Sequence, residues 1–382
     1  MSLSTAVMDT TFTEQFRELI KGEKSGVLRE LRERAFAAFT ATGFPTPKLE
    51  DWKYTNTAQL ANSGFQILDL KSFDIGDDEE LLARFGTQRN GFTALNLAFA
   101  DIKVIRIARE TSLDEPIDLS IAAGEGTAIF PHFLVVAEAG SKATIVETYD
   151  SAAGSFTDTA IQIVVEDNAR LEHYRVQRDS PEAFHYGVTE VSVGPGSSYD
   201  STNIELGGRL SRHDIEVKFT AEGGEAWVDG LYMLNGSQHH DTHSIIDHTV
   251  PNCTSHQTYK GVLNDKSRGV FNGKVFVREN AHGTDAQQSN KNLLLSSDAR
   301  VDTKPQLEIF NDDVKCSHGA TVGQLEDEEL FYLLTRGLPE ALARNLLTYG
   351  FAEEIINKIG IDGIKFDLDQ AVLNRLSVAI DR

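Results

Sequence analysis

Turn residues recur in this chain at a fixed interval: Gly140, Asn168, Gly196, Gly224, Asn252 and Asn280 each lie 28 positions after the last. Glycine and asparagine tolerate the left-handed backbone of a tight turn, so an even series of them marks a repeating unit and not a set of unrelated loops. A second turn falls near the middle of the units, for example at Ala153-Gly154-Ser155, Gly207-Gly208-Arg209, Asn235-Gly236-Ser237 and Asn264-Asp265-Lys266. Between turns lie short β-branched runs such as Lys103-Val104-Ile105-Arg106-Ile107, Ala143-Thr144-Ile145-Val146-Glu147 and Ile161-Gln162-Ile163-Val164-Val165, which are strand signals. One unit therefore reads strand, turn, strand, turn. Two architectures fit that reading, a β-solenoid whose coils hydrogen-bond to their neighbours and an antiparallel meander or sandwich, and the spacing alone leaves both open.

Helical spacing flanks the repeats. Phe12, Phe16, Leu19 and Ile20, then Leu28, Leu31, Ala35, Phe36 and Phe39, recur at intervals of three and four, until Gly43-Phe44-Pro45-Thr46-Pro47 ends the pattern. Asp77 to Phe85 suggests a further short helix, and strand texture begins at about Phe92. After Gly323 the helical spacing returns with Leu330, Phe331, Leu333 and Leu334 before Gly337. Leu338-Pro339-Glu340 then starts a helix with Leu342, Leu346 and Leu347 on one face and Gly350 as its terminator, and Asp369 to Ile380 carries a last apolar stripe. The chain divides into an N-terminal helical domain over 1–90, a β core over 91–323 and a C-terminal helical domain over 324–382.

Charge narrows the function classes. Lys plus Arg number 36 against 58 Asp plus Glu, a net charge of -22, which repels phosphate backbones and anionic lipid and argues against nucleic-acid or membrane binding. Two cysteines, no charged-then-apolar leader and no apolar run near membrane-spanning length point to a reducing, cytoplasmic compartment. No P-loop GxxxxGK[ST], no GxGxxG and no GxSxG is present, so the chain is not expected to hydrolyse nucleotide or to act as an enzyme of those classes.

Two constellations carry metal-binding chemistry. Cys316 and His318 are two residues apart in Lys315-Cys316-Ser317-His318-Gly319-Ala320-Thr321-Val322-Gly323, and on a strand they point the same way. A thiolate and an imidazole are good ligands for iron or zinc, whereas a packed thiol and a backbone-bonded histidine is the plainer reading of such a pair. With Cys253 the only other cysteine, this chain cannot supply four thiolates to a cluster, so any cluster is shared with a partner. The second constellation is His239, Asp241 and His243, which share a strand face and suit a mononuclear metal site in a stand-alone metalloenzyme. Against that stands a ladder of hydrogen-bonded histidines on the outside of a coil.

Several runs together resemble one family. Lys304-Pro305-Gln306-Leu307-Glu308-Ile309, Asp312-Asp313-Val314-Lys315-Cys316-Ser317-His318-Gly319-Ala320-Thr321-Val322-Gly323 and Leu330-Phe331-Tyr332-Leu333 with Arg336-Gly337 resemble the C-terminal signature of the SufD branch of the SufB/SufD family, scaffold proteins of SUF iron–sulfur cluster assembly. Glu50-Asp51-Trp52-Lys53-Tyr54-Thr55 resembles the N-terminal signature, and His240-Asp241, Asp247-His248, Pro251, Cys253, Ser255-His256-Gln257 and Lys260-Gly261 resemble the shared core. Ser317 and Gly319 stand where SufB-like chains carry acidic residues, and the chain lacks an N-terminal cysteine cluster, which favours the SufD branch.

The resemblance implies a mainly β protein, a right-handed parallel β-helix between helical domains. It also implies a non-catalytic role and two partners: SufB through the β-helix, and the ATPase SufC through the C-terminal helices, where Leu330, Phe331, Leu334, Leu346, Leu347 and Phe351 are the docking candidates. His318 is then the candidate ligand, with Cys316 beside it, for a transient iron–sulfur cluster built at the SufB interface and not stably held by the isolated chain, which could pair with itself through the same surface.

Overall fold

The computed structural model describes residues 5–23, 25–61, 63–68, 82 and 89–377. Every strand pairing in it is parallel, which decides for the solenoid: two sheets form the facing walls of a β-helix. One wall runs Gln66–Ile67, Thr127–Ile129, Phe156–Val165, Phe184–Val193, Leu210–Phe219, His239–His248, Arg268–Val277, Arg300–Ile309, with Pro131–Ala137 and Asp101–Ile107 beside it. The other runs Ile117–Ile121, Lys142–Tyr149, Arg170–Gln177, Ser198–Glu205, Glu225–Leu234, Thr254–Leu263, Thr284–Leu294, Val314–Gly323. We call them the first and second wall.

Four of the six evenly spaced turn residues, Gly140, Asn168, Gly196 and Asn252, have φ between 54° and 70°, the left-handed region their residue types tolerate. At the other two corners that conformation belongs to a neighbour, Gly223 (φ 75°) for Gly224 and Gly283 (φ 68°) for Asn280. Coil length is the reason: Phe184 pairs with Leu210, 26 residues on, and Arg268 with Arg300, 32 residues on. The corners absorb the difference while the walls stay in register.

Helices cover each wall. On the first, α1 (Thr5–Gly22), α2 (Gly26–Thr42), α3 (Ala58–Ala61) and α4 (Gly91–Phe99) precede the coils, and α2 and α4 join Phe130, Phe156, Phe184 and Tyr186 in one aromatic-rich core. The Ser25 hydroxyl caps α2 by accepting from Leu28 N–H, and Gly43 (φ 62°) ends it. After the short strand Gln66–Ile67, the continuous run of strands starts at Asp101 and not at Phe92, because α4 intervenes. All nine of its residues are buried, so it shows no polar face from which a helical period could be read. The expected helix over 77–85 lies, apart from Leu82, outside the described residues.

On the second wall lie α6 (Glu340–Ile356) and α7 (Asp362–Ser377), preceded by α5 (Asp327–Thr335). Gly350 does not end α6 as its residue type suggested. Ala352, Ile355 and Ile356 beyond it are buried against Val176, Ile204, Leu231 and Val262, and that burial outweighs the roughly 1 kcal/mol a helical glycine costs. The last helix begins at Asp362, ahead of the stripe from Asp369.

The space between the walls is filled by an apolar column through Ile163, Val191, Val217, Ile246 and Val275, and beside it by buried charges. Arg175 donates to Glu205 and lies 2.5 Å from His185 Nε2, whose Nδ1 is 2.7 Å from Asp179. His173 bridges Glu147 (2.5 Å) and the Tyr199 hydroxyl (2.9 Å). Burial alone would raise Asp179, but His185 and its hydrogen bonds hold it at about 2. Removing the one guanidinium strands Glu205 in the interior. Arg175→Met should therefore cost about 3–5 kcal/mol, read as a shift of the urea midpoint at unchanged slope.

Candidate functional site

Val314–Gly323 and Arg300–Ile309 form the terminal coil, and among the described residues no strand pairs with their outer edges. The two edges are ten residues long each. Ile309, Phe310 and Val322 add exposed apolar side chains around them. Cys316 and His318 share a face, as alternation requires, and the pairing assigns it: Cys316 stacks on Ala286 and His318 on Gln288, both buried between the walls. They stand at the mouth of the solenoid. Cys316 is half-buried against the core, which pushes its thiol pKa above the ordinary value, while His318 is exposed. A thiol held protonated is a poor ligand until a metal displaces the proton, so the imidazole is the better-prepared donor of the two.

The apolar residues of the C-terminal helices divide into two sets. Phe331 (67% exposed), Leu334 and Leu346 face outward, and α5 buries no residue at all. Leu330 and Leu347 are half-buried, and Phe351 is an anchor: the Lys260 ammonium lies 4.4 Å from its ring centre and donates to its carbonyl at 3.0 Å. Lys260–Glu354 (2.5 Å) and Lys358–Asp229 (2.6 Å) fasten the same region to the second wall. Exposed Tyr332, Leu342 and Phe366 extend the outward set, and of these Phe366 escaped a reading based on buried stripes.

His239, Asp241 and His243 do lie together on the outer face of the first wall, but Asp241 and the Nε2 atoms of both histidines are engaged by protein. Asp241 Oδ2 accepts from Thr55 Oγ1 (2.5 Å) and Arg212 (2.9 Å), its Oδ1 is 3.0 Å from His243, and His239 Nε2 meets Thr55 at 2.9 Å. Arg212 also lies 3.7 Å over Trp52 and donates to the Asp51 carbonyl. A guanidinium bonded to the carboxylate occupies the place a cation would need, and among the described residues no His, Cys, Asp or Glu group of three is arranged to hold a metal. The cluster is a lock that fastens Glu50–Thr55 across the coils as far as Lys304, which is 3.3 Å from Glu50. Among the described residues no helix is long and apolar enough to cross a membrane.

Such geometry defines a β-helical protein with Cys316 and His318 at a coil that no described strand caps and an exposed helical surface beside it. Residues 120–351 match the family described as "SUF system FeS cluster assembly, SufBD core domain", and residues 7–81 match "SufBD protein N-terminal region". The chain belongs to the SufBD family of iron–sulfur cluster assembly proteins. It is 33% identical to the iron–sulfur cluster assembly protein SufD of Escherichia coli, over 88% of this chain and 89% of that one. A SufBD family protein of Synechocystis is 36% identical over 86% of this chain and 75% of its own length, and one of Mycobacterium leprae 28% identical over 91% and 95%.

The lock has a measurable strength. Thr55→Val removes one hydrogen bond to a buried carboxylate and should lower stability by about 1.5–3 kcal/mol in urea titration. Burial would raise the Asp241 pKa, but His243, Arg212 and Thr55 hold it far below the carboxylate range. A group depressed on folding contributes fully above its unfolded value, about 4, and loses that contribution as pH falls further. The deficit of Thr55→Val should therefore stay constant from pH 8 to 5.

Proposed function

We propose that this chain is the SufD-type, non-catalytic half of a cytoplasmic two-protein scaffold, pairing with a SufB-type partner through the terminal coil and docking a SufC-type ATPase through α5 and α6. The bare coil is the observation that carries this reading. Two ten-residue edges with unpaired N–H and C=O groups invite strand addition, and the chain's own ligands sit at that edge. In isolation the same edges would serve a second copy.

His318 supplies one imidazole to a nascent cluster, and the partner supplies thiolate and carboxylate. A mixed set grips a cluster less firmly than four thiolates and releases it more readily, which suits an assembly site. Cys316 is the second candidate, held back by its raised pKa. Only three residues separate Gly323, the end of the ligand strand, from Asp327, the start of α5, so closure of docked ATPases would pull directly on the strand that carries His318.

Two measurements test the reading. Reconstituted anaerobically with SufB- and SufC-type partners, the His318→Ala complex should lose most of its iron and sulfide, with the isolated wild-type chain, expected to be empty, as the control. Wild-type cluster content in the variant removes His318 from the ligand set. Phe331→Ala with Leu346→Ala should weaken ATPase binding by about 2 kcal/mol or more, some thirtyfold in Kd by calorimetry, without altering thermal stability.

A further inference from the structure

Gln257, Gln288 and His318 occupy one column between the walls. Gln257 pairs in register with Gln288, and Gln288 with His318, in successive parallel strands. Gln288 Nε2 donates to Gln257 Oε1 at 2.7 Å, and Ser244 of the opposite wall donates to the same oxygen at 3.0 Å. Gly273 makes this possible: a Cβ there would lie 2.4 Å from Gln288 Nε2, so only glycine leaves room for the amide. This is an amide ladder of the kind stacked parallel strands support.

Its top rung is incomplete. Gln288 is 3% exposed, and its Oε1 is buried with no hydrogen-bond partner. Nε2 is spent on the coil below, and on the coil above the register partner of Gln288 is His318. A buried carbonyl oxygen left without a donor carries an uncompensated desolvation cost, which a donor one coil away removes. An imidazole has one such N–H and one lone-pair nitrogen in its neutral form.

We propose that Gln288 is the positioning residue of His318: Oε1 takes the ring N–H at the mouth of the solenoid, fixing the tautomer and leaving the second nitrogen free for iron. The inference rests on the reading of His318 as a ligand, and deepens it. Ligating histidines are held in this way by a carbonyl or carboxylate behind them, and loss of that support costs ten- to a hundredfold in affinity or activity. The oxygen here comes from a side chain held by Gln257, whose own oxygen also accepts from Ser244.

The test is the His318 tautomer in protein labelled with 15N-histidine, read by long-range imidazole correlation in the isolated chain, beside cluster assembly in the reconstituted complex. Wild type should show one tautomer. Gln288→Leu, of similar size, should show the mixture of a free imidazole and lose ten- to a hundredfold in assembly rate, and Gln288→Glu, which keeps an acceptor, should restore both. Should the leucine variant fail to fold, Gln257→Leu, which frees the amide from below, should give the same change in weaker form. A Gln288→Leu protein that keeps the wild-type tautomer, or loses it and still assembles cluster at the wild-type rate while His318→Ala does not, overturns the proposal. If His318→Ala assembles cluster normally while the tautomer still depends on Gln288, the ligand reading fails and the positioning contact stands.

Discussion

A parallel coil cannot satisfy its own backbone. Its N–H and C=O groups find partners only in the coils on either side, so a stack of such coils is saturated everywhere except at its ends. At the N-terminal end the helices intervene: α4 runs into the strand at Asp101, and the buried Arg32 of α2 donates to the carbonyls of Ala98 and Ala100 at the junction. At the other end nothing among the described residues intervenes. The exposed edges, the half-buried thiol and the exposed imidazole are one consequence of that asymmetry, because each belongs to the coil that lacks an outer neighbour, and the unpaired amide oxygen of Gln288 lies one coil beneath it.

The same stacking makes the buried charges tolerable. Neighbouring coils lie about 4.8 Å apart, so an ionic side chain finds its partner one rung away without bending the backbone. Arg175 and Glu205 stand in adjacent coils on the same face, as do Glu147 and His173. A slip of one residue would turn Arg175 to the outer face and leave Glu205 alone inside, at a cost of several kcal/mol. Apolar columns such as Ile163–Val191–Val217 cannot impose that penalty so sharply, since one aliphatic contact replaces another. The glycines opposite tyrosines act in the same direction: a Cβ on Gly230 would lie 2.2 Å from the Tyr259 ring, and one on Gly261 2.2 Å from Tyr232. Register is thus defined by charge and by size in different parts of one interior.

Much of this was legible in the residue string, and for stated reasons. Turn chemistry is local, so Gly140, Asn168, Gly196 and Asn252 could be recognised without knowing what the coils pack against. Strand alternation is equally local, and it put Cys316 with His318 and His239 with Asp241 and His243 on common faces. What a face touches is not local. The histidine triad left a metal site open beside a hydrogen-bonded ladder because Arg212 and Thr55, which bond to Asp241, lie 29 and 186 positions from it. Gly350 read as a terminator because the wall that holds Ile355 and Ile356 in helix is built from strands far upstream. Phe351 read as a docking residue for want of Lys260, 91 positions away. The ladder beneath His318 did leave a trace, glutamines at 30 and 61 positions before it, but with coils of unequal length no fixed period connects them.

The two walls are not held alike at the open end. The outer face of Arg300–Ile309 is fastened by the segment Glu50–Thr55, through Lys304–Glu50, and its neighbour by Lys274–Asp51 and by Arg268 over Tyr54. Opposite, the outer face of Val314–Gly323 carries Ser317 bonded to Gln287, and among the described residues no helix is packed in a core with it. The helices α6 and α7 are anchored instead on earlier strands, through Lys260, Asp229 and the carbonyls of Leu206 and Met233 that accept from Arg375. The strand that carries His318 therefore lies between a fixed wall and a helix, α5, that buries none of its own residues. Force applied at α5 has few side-chain contacts to break before it reaches the backbone ladder at Gly323, whereas force on the opposite wall must first undo the buried lock at Asp241. In the arrangement proposed for His318 and Gln288, a displacement of a few tenths of an ångström in that strand is enough to part them, since hydrogen bonds weaken steeply with distance and angle. The mouth of the solenoid can then change how it presents its imidazole without any unfolding of the coils behind it.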